Sequence, residues 1–134
     1  MKPRVLLIDD EDLVVRSVTK LLAKGGYDVF TCLNGDAAIE RAGQDRFDFV
    51  VCDVRMPGKD GVETAHQIRI LQAAKGNALI PIVFLTGYAD PLLEKKAREL
   101  NPVDYMMKPF DALQLLDLIR ISIEGRTKEV DDGK

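Results

Sequence analysis

The chain has 134 residues, 46% of them hydrophobic and 31% charged, with a net charge of −3. That length and apolar content suit one domain with its own core and exclude a disordered chain. The balance of 19 basic against 22 acidic residues gives no basic field for nucleic-acid phosphates; the most apolar stretch, 78–85, is short and holds Pro81, so no membrane span is expected.

Short β-branched runs alternate with helical patterns along the chain. Arg4 to Ile8 is a continuous apolar strand of the kind covered on both faces. Asp12 to Lys24 places Val14, Val18, Leu21 and Leu22 on one helical face and closes at Gly25-Gly26. Asp28 to Cys32 is the second strand, and Asn34 caps a short helix carrying Ala38, Ile39 and Ala42. Phe49 to Cys52 is the third strand and delivers Asp53 at its carboxyl end. Gly61 to about Gln72 is the next helix, with Val62, Ala65 and Ile68 on one face. Pro81 opens the fourth strand, Ile82 to Leu85, which ends at Thr86. Asp90-Pro91 starts a helix to Leu100 by a cap and a first-turn proline. Asp104 to Met107 is a short fifth strand, and Asp111 caps a last helix from Ala112 to about Glu124. Residues 125–134 are polar and aperiodic and read as a tail or the start of a linker after a domain of residues 1–124.

Five β-α units in sequence imply an α/β fold, a parallel sheet with right-handed crossovers and helices on both faces. Ligands of such sheets sit outside the carboxyl ends of the strands. There the chain places Asp9-Asp10, Asp53, Thr86 and Lys108-Pro109. Carboxylates about 4 Å apart repel by roughly 1 to 4 kcal/mol per pair, so a cation is expected to offset them. Oxygen-only ligands favour a hard ion such as Mg²⁺, with Lys108 and Thr86 facing whatever anion the metal holds. The set reads as a phosphoryl site with Asp53 as nucleophile.

The ordered set Asp9-Asp10, Asp53-Val-Arg-Met-Pro-Gly-Lys-Asp-Gly61, Thr86-Gly87 and Tyr105-Met-Met-Lys108-Pro109-Phe110 resembles the receiver domain of two-component response regulators over residues 4 to about 124. The resemblance implies a flavodoxin-like, doubly wound (βα)5 sandwich with strand order 2-1-3-4-5. It implies that Asp53 is the phosphoacceptor, charged by a phosphohistidine on a sensor histidine kinase or phosphotransfer protein. It implies that Asp10 and Asp53 bind Mg²⁺ directly, that Asp9 acts through water, and that the Arg55 backbone carbonyl is a further ligand. Lys108 would pair with the phosphoryl oxygens, Thr86 would hydrogen-bond to them, and a cis bond before Pro109 would aim the lysine. Tyr105 matches the switch aromatic that turns inward as Thr86 moves. Arg55 and Tyr88 fall at positions that flank the path of attacking water. One stretch departs from the common pattern: Asn101-Pro102-Val103 stands where small residues usually precede the tyrosine, on the surface most used for output.

Plainer readings account for other residues. Asp12, Asp90 and Asp111 are assigned as helix caps, and Glu11 is placed outside the site as a first-turn residue. His66 is read as solvated or partly packed, Phe47, Phe49 and Phe84 as core anchors, and 94–99 as a solvated helix face. Tyr105 as mere packing at the sheet edge is the plain alternative to its switch role. Cys32 and Cys52 lack metal-ligand spacing and are read as reduced, buried thiols. One histidine leaves almost nothing from which to build a zinc site or a histidine-based catalytic pair. With no secretory signal at the N-terminus, a cytoplasmic protein is expected.

Four rival functions share this architecture. A flavodoxin-type carrier is disfavoured because Asp9-Asp10-Glu11 would repel a flavin phosphate. A P-loop enzyme needs G-x-x-x-x-G-K-[ST], which is absent from the sequence. A haloacid-dehalogenase-like phosphatase has a second acid two residues after its nucleophile, where this chain has Arg55. A pseudo-receiver would lack the complete acid set and lysine. The expectation is therefore a non-enzyme that catalyses only its own phosphorylation and dephosphorylation. On the last helix, Leu113, Leu116, Ile119 and Ile123 are assigned to the sheet-packing face. Leu115, Leu118 and Ile121 are assigned to an outward stripe for output or dimer formation, as part of a helix 4–strand 5–helix 5 face.

Overall fold

The computed structural model describes the backbone of residues 2–132 and the side chains of residues 2–125. Strands and helices alternate as β1 (Arg4–Ile8), α1 (Asp12–Lys24), β2 (Asp28–Cys32), α2 (Gly35–Gln44), β3 (Phe49–Asp53), α3 (Gly61–Ala74), β4 (Ile82–Thr86), α4 (Pro91–Arg98), β5 (Asp104–Met107) and α5 (Ala112–Asp132). The strands form one parallel sheet in the order 2-1-3-4-5, the doubly wound flavodoxin-like arrangement expected. Every residue of β3 and β4 is buried, which is why these strands read as unbroken apolar runs.

Side-chain alternation along each strand feeds two cores. Leu6, Ile8, Val50, Cys52, Ile82 and Phe84 meet α2, α3 and α4 through Ala38, Ala65, Ile68 and Ala97. Val5, Leu7, Phe49, Val51, Val83 and Leu85 meet α1 and α5 through Val18, Leu22, Leu115 and Ile119. Phe47, Phe49 and Phe84 are core residues, His66 is exposed, and Cys32 and Cys52 are buried free thiols, all as expected. Ala97 departs from the expected solvated run 94–99, because it packs under α4.

Helix starts follow the capping rule at four of five sites. The side chains of Asn34, Asp60 and Asp90 accept from the backbone N–H three residues on, and Asp111 accepts from those of Leu113 and Gln114. The exception corrects the reading of Asp12. The cap position of α1 is Glu11, whose side chain makes no capping bond, while Asp12 lies in the first turn and pairs with Arg16 at 2.9 Å. Helix α4 ends at Arg98 rather than Leu100, and Asn101 closes the turn with φ 51°, a left-handed conformation that asparagine tolerates.

The face assignment on α5 is also corrected. Leu115 and Ile119 are fully buried, whereas Leu113 is 68% exposed and Ile121 60% exposed. Leu116, Leu118 and Ile123 pack partly against the same core. At about 100° per residue, Leu113 and Ile119 stand about 120° apart, too far to share one face, while Leu115 and Ile119 are about 40° apart. The outward stripe therefore does not exist as drawn; only Ile121 of its three residues faces solvent. The helix also continues past the expected end near Glu124 to Asp132, so the segment read as a tail is helical as far as it is described.

Candidate functional site

The order of the strands reverses between β1 and β3, and the crevice at their carboxyl ends holds the acidic set. Asp9 and Asp10 leave β1, Asp53 is the last residue of β3, and Lys108 follows β5. Gly61 shapes the loop after Asp53. Its N–H donates to the Val54 carbonyl at 2.8 Å, and a Cβ there would collide with the Asp53 backbone carbonyl. Only glycine lets α3 start so close to the strand end.

One carboxylate oxygen each from Asp9, Asp10 and Asp53 lies within 4.8 Å of the others. Asp9 and Asp53 are buried and Asp10 is exposed. The Lys108 ammonium stands 3.0 Å from Asp9 Oδ2 and 3.4 Å from Asp53 Oδ1. Asp9 Oδ1 accepts from the Glu11 backbone N–H at 2.9 Å; its Oδ2 meets Lys108 as an ion pair without the angular geometry of a hydrogen bond. Burial, then the charge of Asp9, pushes Asp53 up to about 7 against the opposing pull of Lys108. Burial would lower Lys108, but its hydrogen bond to Glu11, its close contact with Asp9 and the charge of Asp53 outweigh that and raise it. The donor set is all oxygen and carries surplus negative charge, which fits a hard divalent cation.

Glu11, placed outside the site by the sequence reading, is in it: its Oε1 accepts from Lys108 Nζ at 2.8 Å. The available signal was its residue type, since glutamate is a poor choice where a helix needs a side-chain cap. The Lys108–Pro109 peptide bond is cis. Thr86 is buried at the end of β4, and its hydroxyl is engaged locally, donating to the Tyr88 carbonyl at 3.0 Å and accepting from the Tyr88 N–H at 3.2 Å. Tyr105 lies beside Phe84 in the strand register, buried, with Arg98 stacked 5.5 Å from its ring centre. Burial pushes its phenol up; the hydroxyl looks toward Thr86 yet completes no hydrogen bond among the described residues. The Arg55 guanidinium lies 4.9 Å over the Tyr88 ring. A groove of about 710 Å³ runs from Glu11, Lys108 and Tyr88 along α1, past Val14 and Leu21 to Phe110.

Known proteins are similar to this chain. The family described as the response regulator receiver domain matches residues 5–120. The chain is 34% identical over 110 residues to the alkaline phosphatase synthesis transcriptional regulatory protein PhoP of Bacillus subtilis, covering 82% of this chain and 44% of that protein. It is 31% identical over 128 residues to the transcriptional regulatory protein PdtaR of Mycobacterium tuberculosis, covering 95% of this chain and 59% of that one. The chain thus spans about half the length of these relatives. Among solved structures, the signal receiver domain of a modulated diguanylate cyclase from Desulfovibrio desulfuricans G20 superposes with a TM-score of 0.82 at 32% identity, over 96% of this chain and 99% of that one.

A doubly wound sheet with a carboxylate cluster and a lysine at the carboxyl ends of its strands is the architecture of a receiver domain. This chain belongs to the response regulator receiver domain family. Receivers of that family meet histidine kinases or phosphotransfer proteins. Among the described residues, no helix is long and apolar enough to cross a membrane.

Proposed function

We propose that Asp53 of this chain accepts a phosphoryl group, in a Mg²⁺-dependent reaction, from a phosphohistidine of a sensor histidine kinase or phosphotransfer protein. The carrying observation is the placement of the Asp53 carboxylate at a strand end, 3.4 Å from Lys108 and beside Asp9 and Asp10. Asp9, Asp10, Asp53 and the Arg55 carbonyl would hold the ion, which supplies positive charge that offsets the cluster and the incoming phosphoryl oxygens. An Asp53 carboxylate oxygen attacks phosphorus, the P–N bond breaks, and the donor imidazole leaves with the electron pair. Lys108 and, after a turn of its hydroxyl, Thr86 hydrogen-bond to the phosphoryl oxygens. The chain promotes only its own phosphorylation and dephosphorylation. A cytoplasmic setting suits its reduced thiols.

Output runs through Thr86 and Tyr105. Thr86 gives up its bonds to Tyr88 when it turns to the phosphoryl group, and the unpartnered phenol of Tyr105 is the group free to follow. Tyr105 sits on β5 between α4 and α5, so the α4–β5–α5 face carries the change to an output domain, a partner or a second copy. Met107, exposed at the end of β5, is the residue on that face to test.

Incubation with Mg²⁺ and a small acyl phosphate should add one phosphoryl mass, labile to hydroxylamine. Equal labelling of Asp53→Asn would overturn the assignment. Sedimentation with beryllofluoride should show association that Met107→Asp weakens while Asp53 labelling persists.

A further inference from the structure

Among the described residues Lys108 makes one hydrogen bond, to Glu11. An ammonium has three N–H donors, and here three carboxylates face it, from Glu11 at 2.8 Å, Asp9 at 3.0 Å and Asp53 at 3.4 Å. Its side chain is 11% exposed, so water offers little alternative. Of the three contacts only that of Glu11 has hydrogen-bond geometry, so a phosphoryl oxygen that takes this donor of Lys108 must displace Glu11. Asp9 and Asp53 are buried and their carboxylates have little water to return to, whereas the Glu11 side chain is 58% exposed and rehydrates at small cost. Glu11 is the partner that yields.

The way α1 begins supports this. The other four helices start on an Asn or Asp whose side chain caps backbone N–H groups. At α1 the cap position is spent on a glutamate that does not cap. Its backbone is pinned instead by Asp9 Oδ1, and its side chain crosses to Lys108, 97 residues away in sequence. A helix that forgoes its cap to make a contact at the site breaks a local rule where function resides. Glu11 also stands with Lys108 and Tyr88 at the mouth of the groove, where its charge opposes an anionic phosphodonor.

We infer that Glu11 is a positioning residue that holds Lys108 in the resting state and thereby restrains phosphorylation of Asp53. The inference rests on the phosphoryl-acceptor reading above and adds a regulator to that site.

Three variants of the full chain test it. Glu11→Gln keeps the length and loses the charge; Glu11→Asp keeps the charge and loses the reach; Asp53→Asn removes the acceptor. With Mg²⁺ at saturation, Glu11→Gln should be labelled by a small acyl phosphate, and should bind beryllofluoride, about two- to fivefold better than wild type, the range of a partly exposed ion pair. Glu11→Asp should match Glu11→Gln. In metal-free protein, the Lys108 ammonium resonance in ¹⁵N–¹H spectra should be protected from exchange in wild type and lose protection in both Glu11 variants. Rates and affinities unchanged or reduced in Glu11→Gln would overturn the inference. So would Glu11→Asp behaving as wild type, because net charge rather than the pairing would then be responsible. Label that survives Asp53→Asn sinks the acceptor reading itself, while the ammonium spectrum reports on the Glu11–Lys108 pairing whatever the acceptor.

Discussion

The two ends of the sheet treat charge in opposite ways. At the amino end, Arg4 lies 4.4 Å from the centre of the Phe30 ring and 5.5 Å from that of Phe47, and pairs with Asp45 at 3.7 Å. Arg41 also stacks on Phe30, at 4.9 Å, and pairs with Asp45 at 2.7 Å; Asp48 accepts from the Arg4 backbone N–H at 2.8 Å. Cations and anions there are matched, and the two guanidiniums lie on aromatic faces. At the carboxyl end, three carboxylates face one ammonium, a fourth, Asp10, adjoins them, and Asp53 is pushed up to about 7. Matched charge holds a scaffold together, whereas surplus charge of one sign is kept only where a ligand of the other sign relieves it.

Removing one cation from each end should separate the two cases most sharply. Lys108→Ala should slow Asp53 labelling about 100-fold, as expected when a charge aimed at the reacting group is lost. Arg4→Ala should leave the labelling rate unchanged. Mass spectrometry of timed samples reads both.

The acid side of the comparison is tested by pH. The folded-state value of Asp53 lies above its unfolded value of 3.8, so ionising it opposes folding. Metal-free stability should therefore be fully kept below about pH 4 and should fall as pH rises through about 7. Asp53→Asn should be more stable than wild type by roughly 4 kcal/mol at pH 8, with the gain vanishing toward pH 4 in urea unfolding. Millimolar Mg²⁺ should raise the wild-type melting temperature and close the gap. A gap that ignores both pH and Mg²⁺ would show that the surplus charge is not the cause.

At the matched end, Arg4→Met should cost about 1 kcal/mol through lost stacking and pairing. That loss should not respond to Mg²⁺. The smallest expected effect concerns the phosphoryl lifetime. Arg55 and Tyr88 stack on each other beside the site, and on the receiver reading the pair is expected to crowd the approach of water. In Arg55→Asn with Tyr88→Ala, decay of the phosphorylated protein should be about threefold faster; equal or slower decay would show that the pair does not gate water.

Much of the site was legible because strand ends are legible. The apolar runs Arg4 to Ile8 and Phe49 to Cys52 stop where their acids begin, so Asp9, Asp10 and Asp53 had to emerge on one edge of a parallel sheet. Glu11 was missed because its role depends on a residue 97 positions later, and no local pattern encodes that reach. Asp12 was misread as a cap because a one-residue shift at a helix start leaves the sequence pattern nearly unchanged.

By itself the sequence determined the alternation of strands and helices, the two-faced burial of β3 and β4, and the strand-end chemistry. These follow from periodicity, capping and β-branched content, which act within a few residues. Tertiary structure alone decided which face of α5 lies on the sheet, which anion Lys108 holds most closely, and that Arg98 covers Tyr105. An amphipathic helix with apolar residues on several sides has no preferred rotation until a core offers it one. An ion pair across the chain exists only once the backbone has brought its ends together.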